Sequence, residues 1–278
     1  MKALVVTVTY NSSHILGDFL SKFYSSASDD VELVLVDSGS MDSLETKRLA
    51  AENGVRIELS NENLGYGGAS NLGVREFSDN HDWLFFVNPD VNVTADQIRQ
   101  LAEAGARAGL AVVAPRVTDM KGQLTVSWGR TVTPPWRHRD SGESEADGYL
   151  FTQTVSGCCM GVRTDVFNEA KGFDPDFFMF CEEMDLHRRI GDAGGTVAIY
   201  KGISVATPGG ASSVGVSSRW RIVERSIAHT RYVRKHFSAV EGFIAFVFNL
   251  ARVSLLPGFR PHVQSVRQFS RGLKGRAG

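Results

Sequence analysis

Residues 83–93 read WLFFVNPDVNV, and this stretch decides how the rest of the chain is interpreted. The large apolar residues at 83–87 predict a strand buried on both faces, and Pro89, which cannot donate to a β-ladder, ends it. Because ligands of open α/β sheets bind outside the carboxyl ends of the strands, Asp90 stands where a site is expected. A carboxylate there suits a hard divalent cation that bridges to phosphate oxygens. The alternative is an Asx turn that only ends the strand.

Other short apolar runs alternate with helical segments along the chain. The runs predict strands at 3–9, 32–36, 55–59, 110–114 and 197–200, with helices after most of them. Thr94 and Gln97 match a capping box that begins one of these helices. Strands and helices that alternate through short loops indicate an α/β fold with a doubly wound, mostly parallel sheet.

Residues 63–73 form a glycine-rich loop that opens a helix. The sequence NLGYGGASNLG contains a GxxG spacing but not the dinucleotide fingerprint, which would follow the first strand, and the chain has no Walker A motif. Two interpretations stay open for these glycines: backbone close to a phosphate-bearing ligand, or close packing of helix against sheet.

A second informative stretch, residues 172–195, contains Glu182, Glu183 and Asp185 at the predicted start of a helix. Acidic residues in a first helical turn are favoured by the helix dipole, so a purely structural role is one alternative. Three carboxylates within four residues also repel one another unless a cation or a proton lies between them. Such crowding can raise a carboxyl pKa toward the value that a general base needs.

The net charge of −1 hides an acidic body and a basic C-terminal segment. Residues 219–278 hold 12 Lys and Arg against 2 Asp and Glu, a net charge of +10, and the remainder carries −11. Residues 242–257 are largely apolar but too short and interrupted to span a bilayer. This pattern favours an interfacial helix on an anionic membrane, or alternatively a helix that docks on the body or on a second subunit. Nucleic acid is not expected as a partner, because no reader motif accompanies the charge.

Two further features bear on localisation. The N-terminus leads directly into the first strand, so no signal peptide is expected. The cysteines (Cys158, Cys159 and Cys181) have neither metal-ligand spacing nor the pattern of a disulfide framework, which favours a reducing compartment. We therefore expect a cytoplasmic protein that is peripheral on the inner face of the plasma membrane.

Five motifs in order give the chain a family resemblance. They are Thr9-Tyr10-Asn11, residues 36–42 (VDSGSMD), residues 63–71 (NLGYGGASN), Asn88-Pro89-Asp90 and residues 182–185 (EEMD). Together they resemble a family-2 inverting glycosyltransferase of GT-A fold, within it most closely the bacterial rhamnosyltransferase branch, over roughly residues 3–236. The resemblance implies a Rossmann-like nucleotide-sugar-binding and catalytic domain at 1–218, followed by a basic helical extension at 219–278.

The resemblance also implies roles for individual residues. Glu183 matches the position of the catalytic base, with Glu182 and Asp185 beside it, and Asp90 would hold Mg²⁺ or Mn²⁺ against the donor diphosphate. Asp37 would contact the nucleotide base. The whole set implied to bind substrate is Thr9, Tyr10, Asn11, Asp37, Ser38, Gly65, Tyr66, Gly67, Asn71 and Asn88.

Three positions depart from the family pattern. Asn88 replaces the first acidic residue of the metal motif, so one carboxylate rather than two faces the ion. Thr207 stands where family members often carry a histidine. The base position is Glu183, where aspartate is usual, and Asp185 is the fallback assignment for the base. The metal is therefore expected to be held mainly by Asp90 and the substrate phosphates.

The function expected from the resemblance is transfer of L-rhamnose from dTDP-rhamnose onto a lipid-linked or polysaccharide acceptor in cell-wall or surface glycan synthesis. The alternatives are a transferase with a UDP-hexose donor and a non-catalytic nucleotide-sugar-binding assembly protein. A nucleotidyltransferase would need a glycine- and lysine-rich loop after the first strand, which the sequence lacks. Oligomeric state stays open, and so does the question of whether residues 133–148 form a lid.

Overall fold

The fold is described by a computed structural model for residues 1–26, 28–129, 131, 143–209 and 218–254. The strands are β1 Ala3–Thr9, β2 Val31–Ser38, β3 Arg56–Ser60, β4 Trp83–Val87, β5 Val112–Thr118, β6 Leu124–Thr125, β7 Trp128–Gly129, β8 Ser144–Ala146, β9 Tyr149–Thr152, β10 Thr154–Val155, β11 Cys159–Arg163 and β12 Val197–Ala206. The helices are α1 Ser13–Phe23, α2 Ser43–Glu52, α3 Gly65–Phe77, α4 Ala95–Arg107, α5 Thr164–Glu169, α6 Glu182–Asp192, α7 Ser218–His236 and α8 Ala239–Ser254.

One large sheet has the strand order β3-β2-β1-β4-β11-β5-β12-β9-β8. Strands β3, β2, β1 and β4 are parallel, and β5 and β12 point the same way, because β11 is antiparallel to both β4 and β5. All five residues of β4 are buried, as its uninterrupted apolar sequence predicts for a strand covered on both faces. The prediction of an α/β fold with a mostly parallel central sheet flanked by helices is confirmed.

The sequence did not predict β11, which lies in the middle of the sheet. This segment, CMGVR, has only five residues and is interrupted by Gly161, so its strand signal in the sequence is weak. Its strand conformation comes from pairing with β4 and β5 on either side. Other bounds also differ: β5 begins at Val112 rather than 110, and β12 continues to Ala206 because it resumes pairing with β5 after an irregularity between Tyr200 and Ser204.

Apolar side chains cover both faces of the sheet. One cluster joins α1 and α4 to one face, with Leu16, Phe19 and Leu101 fully or almost fully buried. The other joins α3, α5 and α6 to the opposite face, around Phe86 and Phe173. The predicted capping box at the start of α4 is present, since Thr94 and Gln97 each accept from the other's backbone amide. This layering leaves the carboxyl ends of β1, β2 and β4 open.

The C-terminal helices α7 and α8 follow the sheet, as predicted. The placement of a domain boundary at 218/219 stays a prediction, and residues 255–278 of the predicted extension lie outside the described residues. In the part of the chain that is described, no helix is long and apolar enough to cross a membrane. Of the lid candidate 133–148, residues 133–142 lie outside the described ranges, and Ser144–Ala146 forms the edge strand β8.

Candidate functional site

A cavity of about 250 Å³ lies at the carboxyl ends of β1, β2 and β4. This is the position where open α/β sheets bind ligands. Its lining consists of Val8, Tyr10, Ser12, Ser38, Asn63, Gly65, Tyr66, Asn88, Pro89, Ser156, Gly157, Cys158, Met179, Phe180, Glu182 and Glu183. Six chain segments therefore meet around one space, and each of the five predicted motifs contributes at least one lining residue.

The cavity wall beside β1 and β2 is formed by polar groups that are hydrogen-bonded to one another. Asn11 has a φ of 51°, its amide donates to Ser40 Oγ at 2.9 Å, and its Oδ1 accepts from the Met41 amide at 2.8 Å. Ser38 Oγ accepts from the Leu64 amide at 2.9 Å. These bonds connect the ends of β1 and β2 to the glycine-rich loop, so the wall has a fixed shape.

Thr9 and Asp37 lie beneath this wall rather than on the cavity surface. Both are fully buried, and Asp37 accepts from Thr9 Oγ1 at 3.1 Å and from the Ser40 amide at 2.9 Å. Each carboxylate oxygen of Asp37 thus already has a protein donor. Contact between Asp37 and a nucleotide base stays a prediction, and the observed contacts are those that support the turn after β2.

The glycine-rich loop presses against the segment that leads to α6. Gly65 has a φ of +71°, and a Cβ there would lie 2.0 Å from the carbonyl oxygen of Phe178. The same oxygen accepts from the Tyr66 amide at 3.1 Å. Of the two interpretations of the glycines, this contact favours close packing for Gly65, because the space around it is filled by protein backbone.

Gly65→Ala should therefore lower the free energy of unfolding by at least about 2 kcal/mol and weaken ligand binding, because the methyl group would displace the Phe178 backbone. The matched control is Gly54→Ala, since Gly54 has a φ of +66° but nothing within 4 Å of its Cβ position. That control should show only the cost of the left-handed conformation, about 1 kcal/mol. Equal losses in urea denaturation of both variants would contradict the close-packing interpretation.

The predicted loop residues Tyr66, Gly67 and Asn71 have different surroundings. Tyr66 lines the cavity and its hydroxyl donates to the Gly157 carbonyl at 2.5 Å, while burial, with help from nearby Glu182, raises its pKa well above the ordinary value. Gly67 packs against Phe173. Asn71 exchanges two hydrogen bonds with the backbone of Phe173, at 2.7 and 2.9 Å. Asn71 therefore holds the loop before α6 and does not line the cavity.

The turn after β4 faces the cavity through Asn88 and Pro89. The Asn88 amide donates to the Cys158 carbonyl at 2.9 Å, which ties the turn to the segment before β11. Asp90 is half-buried beside Cys158, whose thiol pKa is raised by burial and further by the Asp90 charge. The Asn92 amide donates to the Ala206 carbonyl at 2.7 Å, so Thr207, the departure noted in the sequence, lies close to this turn.

Glu182 and Glu183 enter the cavity from the first turn of α6. The two residues before them, Phe180 and Cys181, have φ values of 68° and 63°, a conformation that is costly for residues other than glycine. This left-handed turn comes directly before α6, and both glutamates of the first helical turn line the cavity. Strain of this kind at a site is an observation from which function can be inferred.

Burial sets the protonation of these two carboxyl groups. Burial raises the pKa of Glu182 well above its ordinary value, and repulsion from Glu183 is the second cause. Burial also raises the pKa of Glu183, whereas the positive charge of Arg225 lowers it. Among the described residues, the Oε2 atoms of both are buried without a hydrogen-bond partner. A carboxyl oxygen without a protein partner at a cavity wall is available to take a proton from a ligand.

Asp185 belongs to a different environment. It is fully buried away from the cavity, 2.8 Å from Arg189 and 2.7 Å from both Lys235 Nζ and His236 Nε2. Burial alone would raise the pKa of Asp185, but hydrogen bonds from His236 and Lys235 and the Arg189 charge hold it below its ordinary value. Glu183, not the fallback candidate Asp185, is therefore the carboxylate that meets the cavity together with Glu182.

Several cavity residues were not among the site residues that the sequence analysis assigned, although Asn63 and Pro89 belong to two of its motifs. The unassigned residues are Val8, Ser12, Asn63, Pro89, Ser156, Gly157, Cys158, Met179 and Phe180. Ser156–Cys158 had no signal of its own, because it reaches the cavity only through the antiparallel β11, which the sequence did not predict. Met179 and Phe180 could have been included, since they immediately precede the glutamates in the stretch that the sequence singled out.

Comparisons with known protein sequences place this site in context. A model described as "Glycosyl transferase family 2" matches residues 4–170. N-acetylglucosaminyl-diphospho-decaprenol L-rhamnosyltransferase of Mycobacterium tuberculosis is 28% identical over 219 residues, 68% of this chain and 70% of that protein. The low-salt glycan biosynthesis hexosyltransferase Agl10 of Haloferax volcanii is 24% identical over 189 residues, 65% of this chain and 59% of that protein.

Solved structures with the same fold include three transferases. GalNAc-T7, solved with UDP, GalNAc and Mn²⁺, has a TM-score of 0.64 at 14% identity and covers 99% of this chain, which spans only 55% of that one. The mannosyltransferase PcManGT of Pyrobaculum calidifontis, solved with GDP-Man and Mn²⁺, has a TM-score of 0.60 at 13% identity, and the match covers 98% of this chain and 79% of that one. Residues 1–349 of S. aureus TarS, solved with UDP-GlcNAc, have a TM-score of 0.58 at 15% identity, and the match covers 98% of this chain and 80% of that one. At these identities the likeness concerns the fold.

Proposed function

The chain belongs to glycosyl transferase family 2 and has the GT-A fold, and on this basis we propose that it transfers L-rhamnose from dTDP-rhamnose, with inversion, to a lipid-linked or polysaccharide acceptor. The observation that carries the proposal is the single cavity in which Glu183, Glu182 and the Asn88-Pro89 turn face one another. Family membership makes the chain a glycosyltransferase, so the alternative of a non-catalytic assembly protein loses its support.

The donor would lie across the carboxyl ends of the strands. Its nucleoside would occupy the wall made by Tyr10, Asn11 and Ser38, and its diphosphate would run past Gly65 and Tyr66 toward the turn after β4. Thr9 and Asp37 would act from beneath by holding that wall in place. The sugar would then lie between Asn88 and the glutamates of α6, where the reaction is expected.

A divalent cation fits this site only with ligands from the substrate. Among the described residues, no group of three or more His, Cys, Asp or Glu side chains could hold a metal ion. Mg²⁺ is commonly bound through one or two carboxylates together with substrate phosphates, and Asp90 can supply one carboxylate. A bound Mg²⁺ or Mn²⁺ would offset the charge that builds on the leaving diphosphate. Mn²⁺ in two structural neighbours supports a divalent ion without identifying it.

Mn²⁺ should therefore bind tightly only when a nucleoside diphosphate is present, and Asp90→Asn should weaken the metal-dependent part of donor affinity by about tenfold or more. Calorimetric titration of Mn²⁺ with and without dTDP measures both effects. Asp18→Asn, on the exposed face of α1, is a control that should leave both unchanged. Tight Mn²⁺ binding to the free chain, unaffected by Asp90→Asn, would contradict this assignment.

The chemical step requires one base and one leaving group. The acceptor hydroxyl oxygen attacks the anomeric carbon, the bond from that carbon to the donor's phosphate oxygen breaks, and the hydroxyl proton passes to Glu183. Glu183 suits this role because its carboxylate oxygen has no protein partner among the described residues and its pKa is raised by burial. Burial also raises the pKa of Glu182, with repulsion from Glu183 as the second cause, so a proton shared by the two carboxyl groups would reduce the repulsion between them.

The identity of the donor is tested by calorimetry with dTDP-rhamnose, UDP-glucose, UDP-galactose and GDP-mannose, each with and without Mn²⁺. The 28% identity with an L-rhamnosyltransferase supports dTDP-rhamnose as the preferred donor. Preference for a UDP-hexose would keep the fold and the mechanism but replace the donor. Failure of all four donors to bind would overturn the proposed activity.

The acceptor proposal rests on the same relative, the N-acetylglucosaminyl-diphospho-decaprenol L-rhamnosyltransferase, whose name identifies a diphospho-decaprenol lipid as its acceptor. An enzyme that modifies such an acceptor must work at a membrane surface. We accordingly propose that this chain is a peripheral protein at the inner face of the plasma membrane. Transfer of radiolabelled sugar to membrane lipid extracts, followed by mild acid release, tests whether the product is linked through diphosphate to a lipid.

A further inference from the structure

Helix α8 presents a continuous apolar stripe to solvent. Its exposed large side chains, with their exposed fractions, are Val240 (68%), Phe243 (66%), Ile244 (42%), Val247 (48%) and Phe248 (66%). The spacing i, i+3, i+4, i+7, i+8 places all five on one face of the helix. Large exposed patches of this kind mark sites of interaction with proteins or membranes, whereas scattered apolar residues do not. We call these five residues the α8 ridge.

The opposite face of α8 is already engaged, so the ridge points outward in a fixed direction. Gly242, Ala245, Asn249 and Val253 are buried. Asn249 Nδ2 donates to Thr230 Oγ1 of α7 at 3.0 Å, and a Cβ at Gly242 would lie 2.5 Å from Arg234 Cγ. This close packing on α7 leaves no alternative orientation in which the ridge itself would be covered by the described part of the chain.

We propose that the α8 ridge docks on a bilayer surface rich in anionic lipid. The ridge belongs to the segment 219–278, which holds 12 Lys and Arg against 2 Asp and Glu, and exposed Arg252 lies on α8 itself. Residues 255–278 continue from the end of α8 and add five cationic side chains with no acidic one. An apolar helix face accompanied by a cationic segment is the combination that binds anionic membrane interfaces.

A second copy of the chain fits the ridge less well. A helix of 16 residues is roughly 24 Å long, and a stripe about 10 Å wide along it covers roughly 240 Å². A stable interface between proteins needs about 800 Å² from each partner. The high positive charge of the segment would also repel an identical segment on a second copy. A bilayer has neither restriction, because it accepts five apolar side chains and attracts the cations.

The α8 ridge is linked through α7 to α6, the helix that contributes Glu183 to the cavity. Helix α7, on which α8 packs, contributes Lys235 and His236 to the buried cluster around Asp185, and Asp185 lies two residues after Glu183 on α6. A membrane contact through α8 would therefore hold the cavity at a set orientation to the bilayer. This benefit rests on the proposed function, because it matters only if the acceptor is linked to a lipid.

Binding of the full chain to vesicles without donor or acceptor tests the docking surface independently of catalysis. In co-sedimentation, vesicles with about 30% phosphatidylglycerol should bind the protein at least about tenfold more strongly than vesicles of pure phosphatidylcholine. High salt should reduce this difference, because it screens the attraction between the cationic side chains and the anionic lipid. Phe243→Ser/Phe248→Ser should weaken binding to the anionic vesicles by about tenfold or more. The matched control Met120→Ser/Val126→Ser, two exposed apolar residues elsewhere, should bind like the wild type.

Two results would overturn the proposal. One is unchanged vesicle binding by the ridge variant, and the other is a wild type that stays in the supernatant with anionic vesicles. Sedimentation velocity distinguishes a dimer surface, since a wild-type dimer that the ridge substitutions dissociate, without vesicle binding, would assign the ridge to a second copy. Donor calorimetry on the same variants should be unchanged. Loss of donor binding in the wild type would refute the proposed function while leaving the docking result intact.

Discussion

Glu183→Gln is expected to lower kcat for sugar transfer by about 10²–10⁴-fold, the usual contribution of a general base, with donor affinity nearly unchanged. Glutamine keeps the size of the side chain but cannot take the acceptor proton. The glutamate lines the cavity, and its Oε2 lacks a hydrogen-bond partner among the described residues, so the substitution breaks no observed bond to that atom. Initial rates with saturating donor, together with donor calorimetry, separate the loss of chemistry from a loss of binding.

Glu182→Gln is the matched control. Burial and the neighbouring Glu183 charge raise the pKa of Glu182, which favours its protonated form when Glu183 is ionised, and glutamine imitates a protonated glutamate. We expect kcat of this variant to stay within about threefold of the wild type, well short of the effect of losing a base. A large loss in Glu182→Gln with a small one in Glu183→Gln would transfer the role of the base to Glu182.

The pH dependence of the wild type gives an independent reading of the same group. Burial raises the pKa of Glu183 above its ordinary value of 4.5, and the base must be ionised to act. The transfer rate should therefore fall as the pH drops through this raised pKa. The residual activity of Glu183→Gln should lack that step, and a profile identical to the wild type would exclude Glu183 as its source.

Asp185→Asn is expected to lower the free energy of unfolding by about 3 kcal/mol, because removing one partner from a buried ionic cluster leaves the others uncompensated. The cluster joins Arg189 of α6 and Lys235 and His236 of α7 to one fully buried carboxylate. Loss of one partner from a buried ion pair costs about 3–5 kcal/mol. The low end of that range applies here because the side chains of Arg189 and Lys235 remain 22% and 32% exposed. Urea denaturation measures the change.

Asp192→Asn on the same helix is the control, since Asp192 pairs with Arg188 at 2.9 Å and its side chain is 59% exposed. An exposed pair of this type should contribute no more than about 0.5 kcal/mol. If both variants lose the same stability, the cluster around Asp185 is not the tie between α6 and α7. If Asp185→Asn keeps its stability but loses activity as fully as Glu183→Gln, the fallback assignment of the base is revived.

The sign of the pH effect on stability follows from the direction of the Asp185 shift. Its pKa in the folded chain lies below the ordinary value of 3.8, so folding favours the ionised form. The contribution of the cluster is therefore complete above the unfolded pKa and is lost as the pH falls through the lower, folded pKa. The stability difference between the wild type and Asp185→Asn should therefore shrink in that acidic window.

Local sequence was sufficient for the features that depend on neighbouring residues. The strand Trp83–Val87 with its stop at Pro89, the capping box of Thr94 and Gln97, and the start of α6 at Glu182 are all where the sequence predicts them. Each depends on periodicity, on a capping side chain or on the missing amide of proline, which are properties of a few consecutive residues. The order of five motifs was also sufficient for the family.

Tertiary structure alone decided which of those residues share a site. Glu183 and Asp185 are two positions apart, yet side chains at i and i+2 of a helix point in different directions, so one lines the cavity and the other enters an ionic cluster with α7. Ser156–Cys158 reaches the cavity only because β11 inserts between β4 and β5, a pairing of strands far apart in sequence. Local propensity has no information about such contacts, because their free energy comes from burial and pairing that exist only once the sheet has formed.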